Sequence, residues 1–177
     1  MKEARETTEL VKRAKGHDPD AFTELMQFYM KDMYRTAIAI LSNDPDAADA
    51  IQDTILAAWE KISTLKDNRF YKTWMTRILI NKCYDILKQR EKEILFEKQV
   101  DTAGGRDPAV QEDPNIRFKE MLAILDEKYR VPMMLYYGQG YKIKEIAEML
   151  HIPKSTVQTR LDRGRDKLAV FYESRIV

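Results

Sequence analysis

One cysteine, Cys83, stands in a chain of 177 residues, so no disulfide framework forms within it. The two histidines, His17 and His151, lie far apart and have no Cys or His neighbours, which leaves no zinc-ligand spacing and no metal site to read. Glycine and proline are few, at six each, and they cluster. No apolar run approaches the length of a membrane span. The charged N-terminus lacks the apolar segment of a signal peptide. Strict alternation of apolar and polar residues is missing over any useful length, so strands are not expected. No carboxylate pair or phosphate loop can be read, and Gly138-Gln139-Gly140 reads as a turn between helices rather than a phosphate cradle. What remains is the expectation of a soluble, cytoplasmic, all-α protein with no catalytic residues and no cofactor.

Apolar residues make up 44% and charged residues 33%, a balance that folds. The net charge of +1 conceals local segregation. Residues 42–60 carry Asp44, Asp46, Asp49, Asp53 and Glu60 with no Lys or Arg. Residues 66–92 carry Lys66, Arg69, Lys72, Arg77, Lys82, Lys88, Arg90 and Lys92 against Asp67, Asp85 and Glu91. An acidic face and a basic face in so short a span point to two different partners.

The chain divides at Gly104-Gly105-Arg106-Asp107-Pro108 and Pro114, inside a weakly periodic stretch. Two small helical domains are therefore expected, residues 1–92 and 115–177, joined by a flexible linker over 93–114. In the first, a short helix over 8–15 ends at Gly16. Asp18-Pro19-Asp20 opens a second helix, and Asn43-Asp44-Pro45 stops it and starts a third with Asp44 as candidate cap. After a loop over 66–70, a last helix runs from Lys72 to beyond Arg90. The second domain gives helices over 115–125, 127–137, 142–150 and 155–172, with Pro132 placed awkwardly inside one of them.

Three helical faces carry chemistry. Over 45–62, Ala47, Ile51, Ile55, Ala58 and Ile62 share one side, while Asp46, Asp49, Asp53 and Glu60 lie opposite with Gln52 at the edge. No Lys is interleaved to form i,i+4 pairs, so a basic partner is expected to answer this face. On the helix from Lys72, Met75, Leu79, Cys83, Ile86 and Leu87 face the core. Arg77, Asn81, Tyr84 and Lys88 form the opposite stripe, with Trp74 at its head. Such a stripe suits single-stranded nucleic acid: aromatic planes stack on bases, an amide reads edges and cations meet phosphates.

The third face belongs to two short helices joined by His151-Ile152-Pro153-Lys154. Ile143, Ile146, Ala147 and Leu150 of the first and Val157, Leu161, Gly164 and Leu168 of the second turn inward, which is a helix-turn-helix pattern. Its second helix presents Ser155, Gln158, Thr159, Asp162, Arg163 and Asp166 to a major groove, with Arg160 and Arg165 placed for phosphates. This pair alone also fits an ordinary duplex-binding regulator, but that reading leaves the acidic helix and the Trp74–Lys88 stripe without a purpose.

At these residues the sequence resembles the extracytoplasmic-function sigma factors of bacterial RNA polymerase. Asp44-Pro45-Asp46-Ala47-Ala48-Asp49-Ala50-Ile51-Gln52-Asp53-Thr54-Ile55-Leu56-Ala57-Ala58-Trp59 is similar to the family's region 2.2 signature. Thr73-Trp74-Met75-Thr76-Arg77-Ile78-Leu79-Ile80-Asn81 resembles the segment that opens and reads the −10 element. Tyr129-Arg130-Val131-Pro132, Gly140-Tyr141, Glu145-Ile146-Ala147-Glu148, Ile152-Pro153-Lys154-Ser155-Thr156-Val157 and Arg160-Leu161 resemble region 4, which reads the −35 element. Pro132 fits that pattern.

The resemblance implies that Asp46, Asp49, Gln52 and Asp53 dock on the clamp helices of the polymerase β′ subunit. It implies that Lys66, Asp67, Asn68, Arg69, Phe70, Trp74, Arg77, Asn81, Tyr84 and Lys88 meet −10 DNA. It gives Lys154, Ser155, Thr156, Gln158, Thr159, Arg160, Asp162 and Arg163 to −35 DNA. The partners it implies are core RNA polymerase, through the β′ clamp helices and the β flap, promoter DNA, and an anti-sigma factor, often membrane-anchored. Gln158 and Asp162 depart from the basic or aromatic residues common in relatives, which bears on promoter preference rather than on class.

Overall fold

In a computed structural model of the chain, the described residues are 2–97 and 124–173. They hold seven α-helices and no strand. The centre of the expected linker lies outside them, as does the helix expected over 115–125 apart from Ile124 and Leu125. None of the described helices is long and apolar enough to cross a membrane.

Helix α1, Lys2–Lys15, is longer than the 8–15 expected. Its left-handed terminal residue is His17, at φ 59°, not Gly16. The His17 ring meets Trp59 edge-on at 5.2 Å, a contact that helps hold this uncommon backbone. Helix α2, Pro19–Leu41, begins where the Asp18 carboxylate accepts from the backbone N–H of Asp20 and Ala21, with Pro19 at its first position. Ser42 ends it in the left-handed conformation.

Helix α3, Asp44–Lys61, corrects one expectation. Its cap is Asn43, whose side chain accepts from Asp46 N at 3.0 Å. Asp44 already lies in the first turn and accepts from the Tyr34 hydroxyl at 2.6 Å. A turn over Ile62–Thr64 and another over Asn68–Phe70 lead to α4, Tyr71–Glu97. Leu25, Met33, Ile62, Met75, Leu79 and Cys83 are almost wholly buried among these helices. Each side chain of leucine size so buried stabilises by about 1.5–3 kcal/mol.

In the second unit, α5 spans Glu127–Met133 and widens into a π-turn over Met134–Gly138. Pro132, inside α5, has no N–H to continue the regular ladder, and the wider turn begins two residues after it. Backbone bonds from Gly140 N to Tyr136 O and from Tyr141 N to Leu135 O close the segment. Helix α6, Ile143–Leu150, starts where Glu145 accepts from the Lys142 N–H at 2.9 Å, and His151 ends it at φ 53°. Helix α7, Lys154–Glu173, follows after Ile152 and Pro153. Gly164 lets α7 approach α5 closely: a Cβ there would stand 2.9 Å from Met133 Cγ. The buried apolar residues of both units form one continuous cluster, with α2 and α4 packed against α5 and α6.

Candidate functional site

The acidic helix is answered partly from within. Asp46 faces α4, keeps a side-chain exposure of 16% and pairs with Arg90. Asp53 lies 3.7 Å from Lys82 of the same helix. The sequence suggested a face with no basic neighbour; those cations come from α4, out of reach of an i,i+4 reading. Asp49, Gln52, Asp53 and Glu60 remain exposed. Leu56 stands 64% exposed among them. Sequence reasoning passed over Leu56, although its spacing from Gln52 and Asp53 places it on this face.

The loop before α4 is held from inside the domain. Asp67 accepts from the Arg69 backbone at 3.0 Å and pairs with its guanidinium at 2.7 Å. Those bonds to Arg69 hold the Asp67 carboxyl below its ordinary range. Lys15 donates to Leu65 O at 2.6 Å and to the Asn68 side chain at 3.3 Å. Lys66 is exposed, and Phe70 projects at 55% exposure with the Arg69 guanidinium over its ring.

Along α4, Asn81 and Lys88 are exposed, whereas Trp74, Arg77 and Tyr84 are half-buried. Trp74 leans on Tyr71, ring centroids 5.9 Å apart. Arg77 lies 3.7 Å from Glu148 of α6. Burial, with Glu127 of α5 next to it, raises the Tyr84 phenol above its ordinary value. The stripe expected to be open is thus contacted by the second unit along part of its length.

On α7, Val157 and Leu161 are buried and Leu168 packs on the core, as the inward face requires. Lys154, Ser155, Gln158, Thr159 and Arg163 are exposed, with Thr156, Arg160 and Asp162 half-buried. Gln158 donates to Asp162 Oδ1 at 3.2 Å, and Arg165 pairs with the same carboxylate. The sequence pattern places Arg163 at the groove and Arg165 at phosphate. In the structure Arg165 holds Asp162, and Arg163 hydrogen-bonds the Tyr129 phenol, which this bond brings below its ordinary value. Lys128 and Lys167 lie 5.0 and 5.4 Å from the same ring. A basic cleft of about 340 Å³ runs between Lys128, Tyr129, Ser155, Thr159, Arg160 and Arg163. Lys128 was missed because it belongs to a different helix from the motif.

Two family models match this architecture in order. Sigma-70 region 2 matches residues 25–93, and Sigma-70, region 4, matches residues 116–168. The ECF RNA polymerase sigma factor SigW of Bacillus subtilis is 27% identical over 172 residues, covering 89% of this chain and 92% of that protein. The chain belongs to the sigma-70 family, in its extracytoplasmic-function branch.

The SigM sigma factor of Mycobacterium tuberculosis is similar at 28% identity over 165 residues, covering 93% of this chain and 84% of its own. Two solved structures share the fold. CnrH in complex with the cytosolic domain of CnrY superposes with a TM-score of 0.68 at 23% identity, over 96% of this chain and 98% of that one. The sigma factor RpoE of Bartonella quintana, in complex with the anti-sigma factor NepR, gives 0.71 at 23%, over 86% and 96%. In this sigma factor the region 2 match contains α3, the loop and the α4 stripe, and the region 4 match contains the helix-turn-helix. It is an alternative sigma factor.

Proposed function

We propose that this sigma factor docks on core RNA polymerase through Asp49, Gln52 and Asp53 with Leu56 between them, Asp46 supporting the face from behind. Asn81 and Lys88, with Trp74, Arg77, Tyr84 and the loop residues Lys66, Asp67, Asn68, Arg69 and Phe70, meet the opened −10 strand. The helix-turn-helix reads the −35 duplex through Gln158 and Asp162, with Ser155, Thr159 and Arg163 also turned to the groove, Lys154 and Thr156 at its entry and Arg160 on phosphate. Residues 1–92 and 115–177 divide this labour across the segment 93–114, whose first five residues continue α4. The protein acts in the cytoplasm as an initiation factor rather than an enzyme.

The observation that carries this reading is the pairing, on one small bundle, of an exposed acidic face on α3 with exposed Asn81 and Lys88 on α4. A duplex-binding regulator has no use for either. Control by an anti-sigma factor is part of the proposal, supported by the likeness to two sigma factors solved with such partners or with a cytosolic domain. The test is co-elution with core polymerase on gel filtration, followed by permanganate footprinting of promoter DNA with the assembled holoenzyme. Co-elution with thymine reactivity around −10 supports the reading. Duplex binding without core association returns the protein to the ordinary regulators.

A further inference from the structure

Lys15 is the last residue of α1, and its charge is turned onto the loop that follows α3. Its ammonium donates to Leu65 O at 2.6 Å and to Asn68 Oδ1 at 3.3 Å. A cation is favoured at that end of a helix. The His17 ring, edge-on to Trp59 of α3 at 5.2 Å, pins the turn after α1 beside α3. Lys15 therefore reaches the loop from a fixed seat. It is half-buried there, and the neighbouring Asp67 carboxylate feels its charge.

The contact decides which way the Asn68 amide faces. An asparagine side chain has a carbonyl that accepts and an NH2 that donates, whereas an ammonium can only donate. The atom beside Lys15 is therefore the oxygen. The two hydrogens of Nδ2 have no acceptor among the described residues. The other polar groups of the loop are engaged with each other. Asp67 accepts from the Arg69 backbone at 3.0 Å and from its guanidinium at 2.7 Å. That guanidinium backs the exposed Phe70 ring, 6.0 Å from its centroid. The loop thus offers an outward ring and, two residues before it, an amide left only its hydrogens to give.

We infer that Lys15 determines specificity at one remove: by holding Asn68 Oδ1 it makes the loop a donor-only reader, which takes an unpaired −10 base carrying a carbonyl and rejects adenine. Adenine is the base without a carbonyl oxygen. The pairing by which asparagine reads adenine needs the amide oxygen to accept from N6 while an amide hydrogen reaches N7. Lys15 turns that oxygen inward. Thymine, guanine and cytosine each offer a carbonyl to Nδ2, and Phe70 gives the base a face to stack on. Lys15 touches no base; it is a positioning residue that acts through Asn68. The inference rests on the assignment of this loop to the opened −10 strand.

The test is run-off transcription by the assembled holoenzyme on promoters carrying each of the four bases at every −10 position. The parent should show one position where adenine gives the least transcript. Lys15→Met fills the same space without a donor and frees the amide to turn over. The adenine penalty at that position should then shrink about fivefold or more, the lower end of what a bidentate base contact discriminates, with the other positions unchanged. Lys15→Arg supplies a donor again and should restore the parent's profile. Asn68→Asp keeps one acceptor for Lys15 and turns a second outward, so adenine should outperform thymine at the same position. An equal loss on every promoter with Lys15→Met overturns the inference, because Lys15 then only braces the loop. So does an Asn68→Asp variant that still disfavours adenine; this variant retains the Lys15 contact, and its profile decides even where Lys15→Met loosens the loop. Failure of the strand assignment looks different: Asn68→Ala and Phe70→Ala would both leave the −10 profile as it is in the parent.

Discussion

Arg90 of α4 reaches across to Asp46 of α3 and pairs with it, although the two residues stand 44 positions apart (90 less 46). That contact separates Asp46 from the other acidic residues of α3. Asp46→Ala is expected to lower stability by about 1 kcal/mol, the scale of a half-exposed ion pair, and to lower the melting temperature accordingly. Asp49→Lys is expected to leave the melting temperature where it is, because Asp49 is exposed, and to weaken core binding if the proposed docking face is right. Thermal melts by circular dichroism and core titrations, run on both variants, check the division. Intact core binding by an Asp49→Lys, Asp53→Lys double variant would refute the docking assignment.

Asn81 and Lys88 share the exposed part of the α4 stripe but not its chemistry. An amide reads base edges and supplies little affinity; an ammonium meets phosphate without regard to sequence. Asn81→Ala should therefore flatten discrimination at one −10 position while overall binding survives. Lys88→Ala should weaken all promoters alike and reduce the slope of log affinity against log salt by about 1. Footprints on a panel of −10 variants at several salt concentrations distinguish these outcomes. A uniform loss from Asn81→Ala counts against edge reading.

Burial pushes the Cys83 thiol up to about 12. In the unfolded chain the thiol ionises near ~8.5. Between those values the unfolded state holds fewer protons than the folded state, so stability falls as pH rises through that window. The buried phenols of Tyr71 and Tyr141, raised likewise by desolvation, extend the fall at higher pH. Cys83→Ala should remove the part of the slope that begins nearest neutrality. A thiol reagent at pH 8 should label the native protein only as fast as it opens, and rapid stoichiometric labelling would contradict the buried placement.

The helices and their inward faces were legible because apolar spacing is a local signal, and the positions of Met75, Leu79, Cys83, Val157 and Leu161 follow it. Pro132 looked misplaced to local rules, yet it sits inside α5 and a π-turn begins two residues after it. What periodicity could not supply is pairing between helices. Asp46 and Asp53 read as unanswered because Arg90 and Lys82 lie on another helix. The half-burial of Arg77 and Tyr84 is set by α5 and α6, which no window along α4 contains. The Asn43 cap and the left-handed His17 were each misassigned to a neighbouring residue, within the usual one- or two-residue uncertainty of a helix end.

Gln158 and Asp162, the proposed −35 readers, are joined to each other. Gln158 gives an amide hydrogen to Asp162 Oδ1 at 3.2 Å, and Arg165 secures the same carboxylate from the next turn. A glutamine that reads adenine needs its carbonyl aimed at the N6 amino group and its second amide hydrogen at N7. The bond to Asp162 fixes that orientation before DNA arrives, and the other Asp162 oxygen stays available to accept from a cytosine amino group. Gln158→Ala should relax one −35 position, worth about 1–3 kcal/mol of discrimination. Asp162→Ala should relax two: the cytosine it reads and the adenine whose reader it steadies. Arg165→Ala should reproduce part of the second effect without touching a base, through loss of the anchor. Arg160→Ala should instead lower affinity almost evenly across sequences and reduce its dependence on salt. Selection from a randomised −35 library with the assembled holoenzyme gives all four profiles at once. If Asp162→Ala alters a single position, or Arg165→Ala leaves the profile unchanged, the two side chains read independently and the coupled arrangement plays no part in promoter choice.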